Sequence, residues 1–69
     1  MLANIKAEMA RHMKTNADMA AELGISKTSF GLKLNEKREF TLSEARKIAE
    51  IFGVTVDYVA GIDISQRSA

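Results

Sequence analysis

Apolar side chains recur along the chain at three- and four-residue steps, the spacing that predicts amphipathic helices. The first series, Leu2, Ile5, Met9 and Met13, predicts a helix over residues 2–13. No run alternates apolar and polar residues for long enough to predict a strand. The pattern therefore indicates an all-α protein.

A second helix is predicted to begin after Thr15. Thr15 and Asp18 have the spacing of a capping box, in which the hydroxyl accepts from a free backbone N–H and the acid lies in the positive first turn. The helix runs to Leu23, and Met19 and Ala20 share its inner side.

A tight turn separates this helix from a third one. Gly24 can adopt the left-handed conformation that ends a helix, and Ile25 can enter the core from within the turn. Ser26 is a favourable N-cap for a helix that continues to Leu34, with Phe30 as its core anchor.

A polar loop over residues 35–40 leads to a fourth helix, which Thr41 and Glu44 open with a clear capping box. Gly53 ends this helix. Its inner stripe is apolar and comprises Leu42, Ala45, Ile48, Ala49 and Phe52.

A short fifth helix is predicted over residues 56–60, capped by Thr55, with Val56, Tyr58 and Val59 turned inward. The expected architecture is one compact bundle of five short helices over residues 1–64. Residues 65–69 are expected to form a frayed tail.

Composition narrows the possible functions. The chain has 69 residues and no cysteine, so its core must come from helix packing or partly from dimerisation, without a disulfide or thiolate metal site. The single histidine, His12, cannot build a multi-histidine site, and we expect no metal or cofactor. The absence of cysteine, of a signal peptide and of a membrane-spanning apolar run fits a cytoplasmic protein.

The distribution of charge is more informative than the net charge of +1. Six basic and three acidic residues lie in residues 27–47, whereas residues 48–66 contain three acids and no base. This asymmetry favours one face directed toward a polyanion, although an evenly solvated surface remains an alternative.

Residues 16–34 place two short helices on either side of a tight turn, which makes them cross steeply, as in a helix-turn-helix motif. Residues 18–26 (DMAAELGIS), 40–49 (FTLSEARKIA) and 51–59 (IFGVTVDYV) resemble segments of the Cro/phage-repressor-type DNA-binding domains, also called lambda-repressor-like or XRE-like. The resemblance covers roughly residues 2–62.

The resemblance implies sequence-specific binding of double-stranded DNA by a repressor-like transcription regulator of bacterial or prophage origin. The third helix would lie in the major groove, where Lys27 and Thr28 would read bases and Gly31 and Leu32 would face the groove later along the helix. One departure is Lys33, which stands where the family usually has an apolar residue. We expect Leu34 to take the core role and Leu32 to turn outward.

The family's phosphate contacts correspond to residues at both edges of this helix. For Asn16, local capping is the alternative role. Ser26 is expected to cap the third helix and in addition to reach phosphate, and solvation alone is the alternative for each basic residue. The candidate phosphate-contacting residues are Asn16, Ser26, Ser29, Lys33, Asn35, Lys37 and Arg38.

Relatives of this type bind near-palindromic sites as dimers, so we expect a homodimer, formed either in solution or only on DNA. Residues 54–64 are the candidate interface, and the alternative is that they only close the monomer core. The rival function is a protein-binding module of the same fold, an antirepressor or antitoxin-type partner without DNA binding. We expect no enzyme, because no phosphate-binding loop or nucleophile constellation is present. We also expect no membrane contact, because no apolar run is long enough to span a bilayer, and no small-molecule ligand.

Overall fold

Five helices and the loops between them make up residues 2–60, the part of the chain that the computed structural model describes. No strand occurs among these residues, which confirms the all-α prediction. The helices are α1 (Ala3–Arg11), α2 (Asn16–Leu23), α3 (Lys27–Leu34), α4 (Leu42–Phe52) and α5 (Val56–Ala60). None of them has the length and apolar character needed to cross a membrane.

The predicted caps position the helix starts. The Thr15 hydroxyl accepts from Asp18 N at 3.1 Å, and Thr15 N donates to the Asp18 carboxylate at 2.9 Å. Thr41 and Glu44 form the same reciprocal pair at the start of α4. The Thr55 hydroxyl accepts from Tyr58 N at 3.1 Å and caps α5. Each cap satisfies backbone donors that the first helical turn leaves without an intrahelical partner.

Four helices end with the same pair of reversed hydrogen bonds around a left-handed residue, the Schellman motif. Gly24 ends α2 with φ 72°, and Gly53 ends α4 with φ 67°. Met13 and Glu36 take the equivalent position after α1 and α3, with φ 56° and 63°. The bonds around Met13 run from Met13 N to Ala10 O at 3.2 Å and from Lys14 N to Met9 O at 2.8 Å.

The prediction that Met13 continues the inner stripe of α1 was therefore wrong. The helix ends at Arg11, and the left-handed backbone at Met13 turns the chain, so that this side chain is 87% exposed. The apolar stripe of α1 is formed by Ile5 and Met9, with the partly buried Leu2 packed beside them.

The core lies where α1, α2, α3 and α4 meet, and its fully buried large side chains are Ile5, Met19, Phe30 and Ile48. Phe40 packs its ring edge-on against Phe30, with ring centroids 5.8 Å apart. Leu42, in the first turn of α4, is 61% exposed, so its predicted inward position was wrong. Ile48, Ala49 and Phe52 are buried as predicted.

Within the described part of the chain, the proposed dimer segment helps to close the monomer. Val59 is 3% exposed, and Val54 and Val56 pack against the core from partly buried positions. Tyr58, predicted to face inward, is half-buried. This arrangement favours the alternative that residues 54–60 close the core of the monomer and do not form a dimer interface. Residues 61–69, which include the rest of the candidate interface and the predicted tail, lie outside the described residues.

Candidate nucleic-acid interface

The position of α3 is fixed by its cap and its buried face. The Ser26 hydroxyl accepts from Ser29 N at 3.0 Å. Phe30 is fully buried and Leu34 is 7% exposed, which confirms that Leu34 takes the core role one turn after Phe30. Since residues four apart share a helix face, Thr28 and Leu32 lie on the side away from this anchor. Thr28 is exposed and Leu32 is half-buried.

The crossing of α2 and α3 brings Asn16 beside Gly31. Ala20, at this crossing, is 3% exposed, and its small side chain permits close approach of the two helices. Among residues 2–60, a Cβ on Gly31 would meet only Asn16 Nδ2, at 4.0 Å. The first turn of α2 therefore flanks the middle of α3, and the folded chain itself leaves space for a side chain at Gly31.

Lys33 is held by Glu44 in the first turn of α4. Its Nζ lies 2.7 Å from Oε1 and 2.6 Å from Oε2 of Glu44, and both side chains are only 13% exposed. Burial raises the pKa of the Glu44 carboxyl, but the hydrogen bonds from Lys33 Nζ and Thr41 N together outweigh it, so this pKa lies below its ordinary range. The Lys33 ammonium is thus engaged within the protein.

The loop after α3 folds back onto the end of that helix. Lys37 N and Arg38 N both donate to Leu32 O, at 2.8 and 3.3 Å. The side chains of Asn35, Lys37 and Arg38 are exposed. The backbone bonds therefore hold these predicted phosphate-contacting positions next to the last turn of α3.

The exposed cations of this region belong to Lys27, at the start of α3, and to Lys37 and Arg38, beyond its end. Glu36 and Glu39 are exposed in the same loop and partly offset the positive charge. Because these acids reduce the net positive charge, long-range attraction of a polyanion would be weak. Binding to this surface would therefore also need specific short-range contacts.

The predicted residues lie on three connected segments, which are the start of α2, α3 with its cap, and the loop after α3. Asn16 lies at the start of α2 and the loop positions follow α3. Ser26 and residues 27–33 belong to the cap and body of α3. The sequence interpretation missed the role of Glu44 as the partner of Lys33. The capping box identified Glu44, but no local pattern pairs residues eleven positions apart across a loop.

Comparison with known proteins agrees with this geometry. A family model described as helix-turn-helix matches residues 5–59, which spans α1 to α5. Comparisons with curated proteins and with solved structures give no significant match. The match therefore includes the turn between α2 and α3 and reaches all five helices.

Proposed function

The chain belongs to the Cro/C1-type helix-turn-helix family of DNA-binding transcription regulators, and we propose that it binds specific duplex sequences as a repressor-like regulator. The origin we propose is bacterial or prophage, and the site of action is the cytoplasm. The observation that carries the proposal is the outward face of α3, capped by Ser26 and anchored by Phe30, with polar and basic groups at both its edges.

Base reading is assigned to the exposed start and outer face of α3. In this assignment Lys27 donates to guanine O6 and N7, and Thr28 bonds a base edge or contacts a thymine methyl. Leu32, one turn after Thr28, supplies an apolar contact for a thymine methyl. Gly31, which has no side chain, would permit close approach of the helix backbone to the groove.

Phosphate contact is assigned to the two flanks of α3. On one side, Asn16 offers its side chain and the N-terminal donors of α2, where a helix end favours anions. On the other, Asn35, Lys37 and Arg38 extend from the loop that follows α3. Ser26 has its hydroxyl hydrogen free to donate while its oxygen caps the helix, and Ser29 lies one turn further on.

The unit that binds is proposed to be a homodimer on a near-palindromic site. A single module of this size contacts few base pairs, and two modules related by a two-fold axis double the contacts. Half-sites would then be centred about 10 base pairs apart, one turn of the duplex. Because residues 54–60 pack into their own monomer, we propose that the dimer is completed on DNA.

Selection of bound duplexes from a random pool tests the proposal. The expected winners share a motif with two-fold symmetry, and binding to them weakens steeply as salt concentration rises, because bound phosphates release counterions. Recovery of an asymmetric motif would contradict the proposed homodimer but not DNA binding itself. Failure to retain any duplex at low salt would contradict DNA binding and favour the protein-binding module of the same fold.

A further inference from the structure

The ion pair between Lys33 and Glu44 joins the two ends of the loop that follows α3. Lys33 is in the last turn of α3, Glu44 is in the first turn of α4, and the residues between them include the exposed Lys37 and Arg38. The base-reading strip, defined as Lys27, Thr28, Gly31 and Leu32, precedes this junction. The anchor loop, residues 35–40, lies within it.

We infer that the Lys33–Glu44 pair fixes the position of the anchor loop relative to the base-reading strip, so that both can contact DNA at the same time. The inference rests on the proposed function. It also assigns Lys33 a different role from direct phosphate contact, because its ammonium already lies within 2.7 Å of both carboxylate oxygens of Glu44.

The network around Glu44 supports a positioning role. Glu44 Oε1 accepts from Lys33 Nζ at 2.7 Å and from Thr41 N at 2.9 Å, so one carboxylate fixes both α3 and the first turn of α4. The pair is only 13% exposed on each side, which reduces screening by water and salt. Base readout depends on such fixed geometry, because phosphate contacts set the register in which side chains meet base edges.

Glu44→Gln separates positioning from simple electrostatics, since the two effects have opposite signs. Glutamine keeps the capping box with Thr41 but loses the charge that holds Lys33. Simple electrostatics predicts tighter binding to every duplex, because an acid is removed and a cation is released. Positioning predicts weaker binding to the preferred duplex and little change on other sequences.

The experiment measures affinity of the full chain for the selected duplex and for a scrambled duplex of equal length. For Glu44→Gln and for Lys33→Met we expect a loss of about tenfold on the selected duplex, the size of one lost base contact. Affinity for the scrambled duplex should stay within about twofold. The double variant should be no weaker than either single variant, because both break one interaction. Lys33→Arg should retain the preference, since arginine can bond both carboxylate oxygens.

Glu22→Gln is the matched control. Glu22 forms an exposed ion pair with Lys14 at 2.7 Å, away from the anchor loop, and its replacement changes the net charge by the same amount. We expect this variant to bind both duplexes as the unmodified chain does, or slightly more tightly. Urea unfolding of every variant checks that the fold is retained.

Two results would overturn the inference while leaving the proposed function intact. One is unchanged or tighter binding of Glu44→Gln to the selected duplex. The other is equal weakening of Lys33→Met on both duplexes with a lower salt slope, which would make Lys33 a direct phosphate contact. If the unmodified chain does not distinguish the two duplexes, the proposed function fails and the inference fails with it.

Discussion

Tyr58 donates its phenolic hydrogen to the Glu8 carboxylate at 3.0 Å and thereby joins α5 to α1. Glu8 is 3% exposed and also accepts from Arg11. The hydrogen bond to Glu8 raises the pKa of Tyr58, because an ionised phenolate would face a carboxylate. Asn4 adds a second link between these helices by donating to Tyr58 O at 2.9 Å.

Tyr58→Phe should therefore lower the thermal midpoint of unfolding by about 3–6 °C, because one bond to a buried carboxylate is lost while the ring is kept. Glu50→Gln is the control, since it removes an exposed carboxylate from α4 and should leave the midpoint almost unchanged. Equal midpoints for Tyr58→Phe and the unmodified chain would mean that this bond does not stabilise the fold.

Met13→Gly is expected to stabilise the protein. Met13 adopts φ 56° and its side chain is 87% exposed, so glycine relieves backbone strain without loss of packing. After allowance for the greater freedom of glycine in the unfolded chain, the gain should be about 0.5–1 kcal/mol in the free energy of unfolding.

Urea denaturation measures this change, and Ala10→Gly provides the contrast. Ala10 is also exposed but lies within α1, where glycine should destabilise by about 0.5–1 kcal/mol. If both substitutions destabilise the protein, the left-handed backbone at Met13 is not a source of strain that glycine can relieve.

The sequence predicts the five helices well because their signals are local. Thr15, Ser26, Thr41 and Thr55 each sit three residues before the backbone N–H that they cap. The errors concern side chains whose environment depends on distant neighbours. Periodicity placed Leu42 inward, but Leu42 is 61% exposed, while the partly buried Phe40 packs against Phe30.

The candidate site was predictable as a set of positions on α3 and its flanks, but its internal contacts were not. Lys33 could be identified as a departure at an expected core position, without any indication of what would accommodate a charge there. The charge of Lys33 is accommodated by Glu44, which packing of the helices brings close to it and which also caps α4. Such dual use of one carboxylate depends on the packing of two helices and is not encoded in a short motif.

Gly31→Ala is expected to change stability and DNA binding in opposite directions. Alanine should raise the free energy of unfolding by up to about 1 kcal/mol, because glycine is unfavourable within a helix. The new Cβ would lie 4.0 Å from Asn16 Nδ2, an ordinary contact distance, so no clash offsets this gain. On the groove-facing side, the added methyl should weaken binding to the selected duplex. A more stable variant with undiminished affinity would exclude a need for close approach at this position.

Lys27→Ala and Lys37→Ala should weaken DNA binding in different ways. Lys27 is proposed to read bases, so its loss should relax the preference at particular base pairs by about 1–3 kcal/mol. Lys37 is proposed to contact phosphate, so its loss should weaken all sequences alike and reduce the salt slope by about one. Binding of both variants to duplexes that differ at single base pairs measures the distinction. Uniform weakening by both would show that the wrong face of α3 was assigned to base reading.

The Glu44 carboxyl should make part of the stability depend on pH. Its pKa in the folded chain lies below the ordinary value of 4.5, since the hydrogen bonds from Lys33 and Thr41 outweigh the effect of burial. A group with a lowered folded pKa stabilises the protein above its unfolded pKa, and this contribution is lost as pH falls through the folded pKa. The stability difference between the unmodified chain and Glu44→Gln should therefore be largest near about pH 6–7 and shrink below about pH 4.5.

Urea midpoints of the two proteins measured from about pH 7 to about pH 3 test this dependence. Asp18 also has a lowered pKa, because Thr15 N donates to its carboxylate, and this adds a loss of stability in the same acidic range. Both proteins contain Asp18, so its contribution cancels in the difference between their midpoints. A difference that stays constant across the acidic range would mean that the charge of Glu44 does not contribute to folding, and would leave only its hydrogen bond to Thr41 N as a stabilising contact.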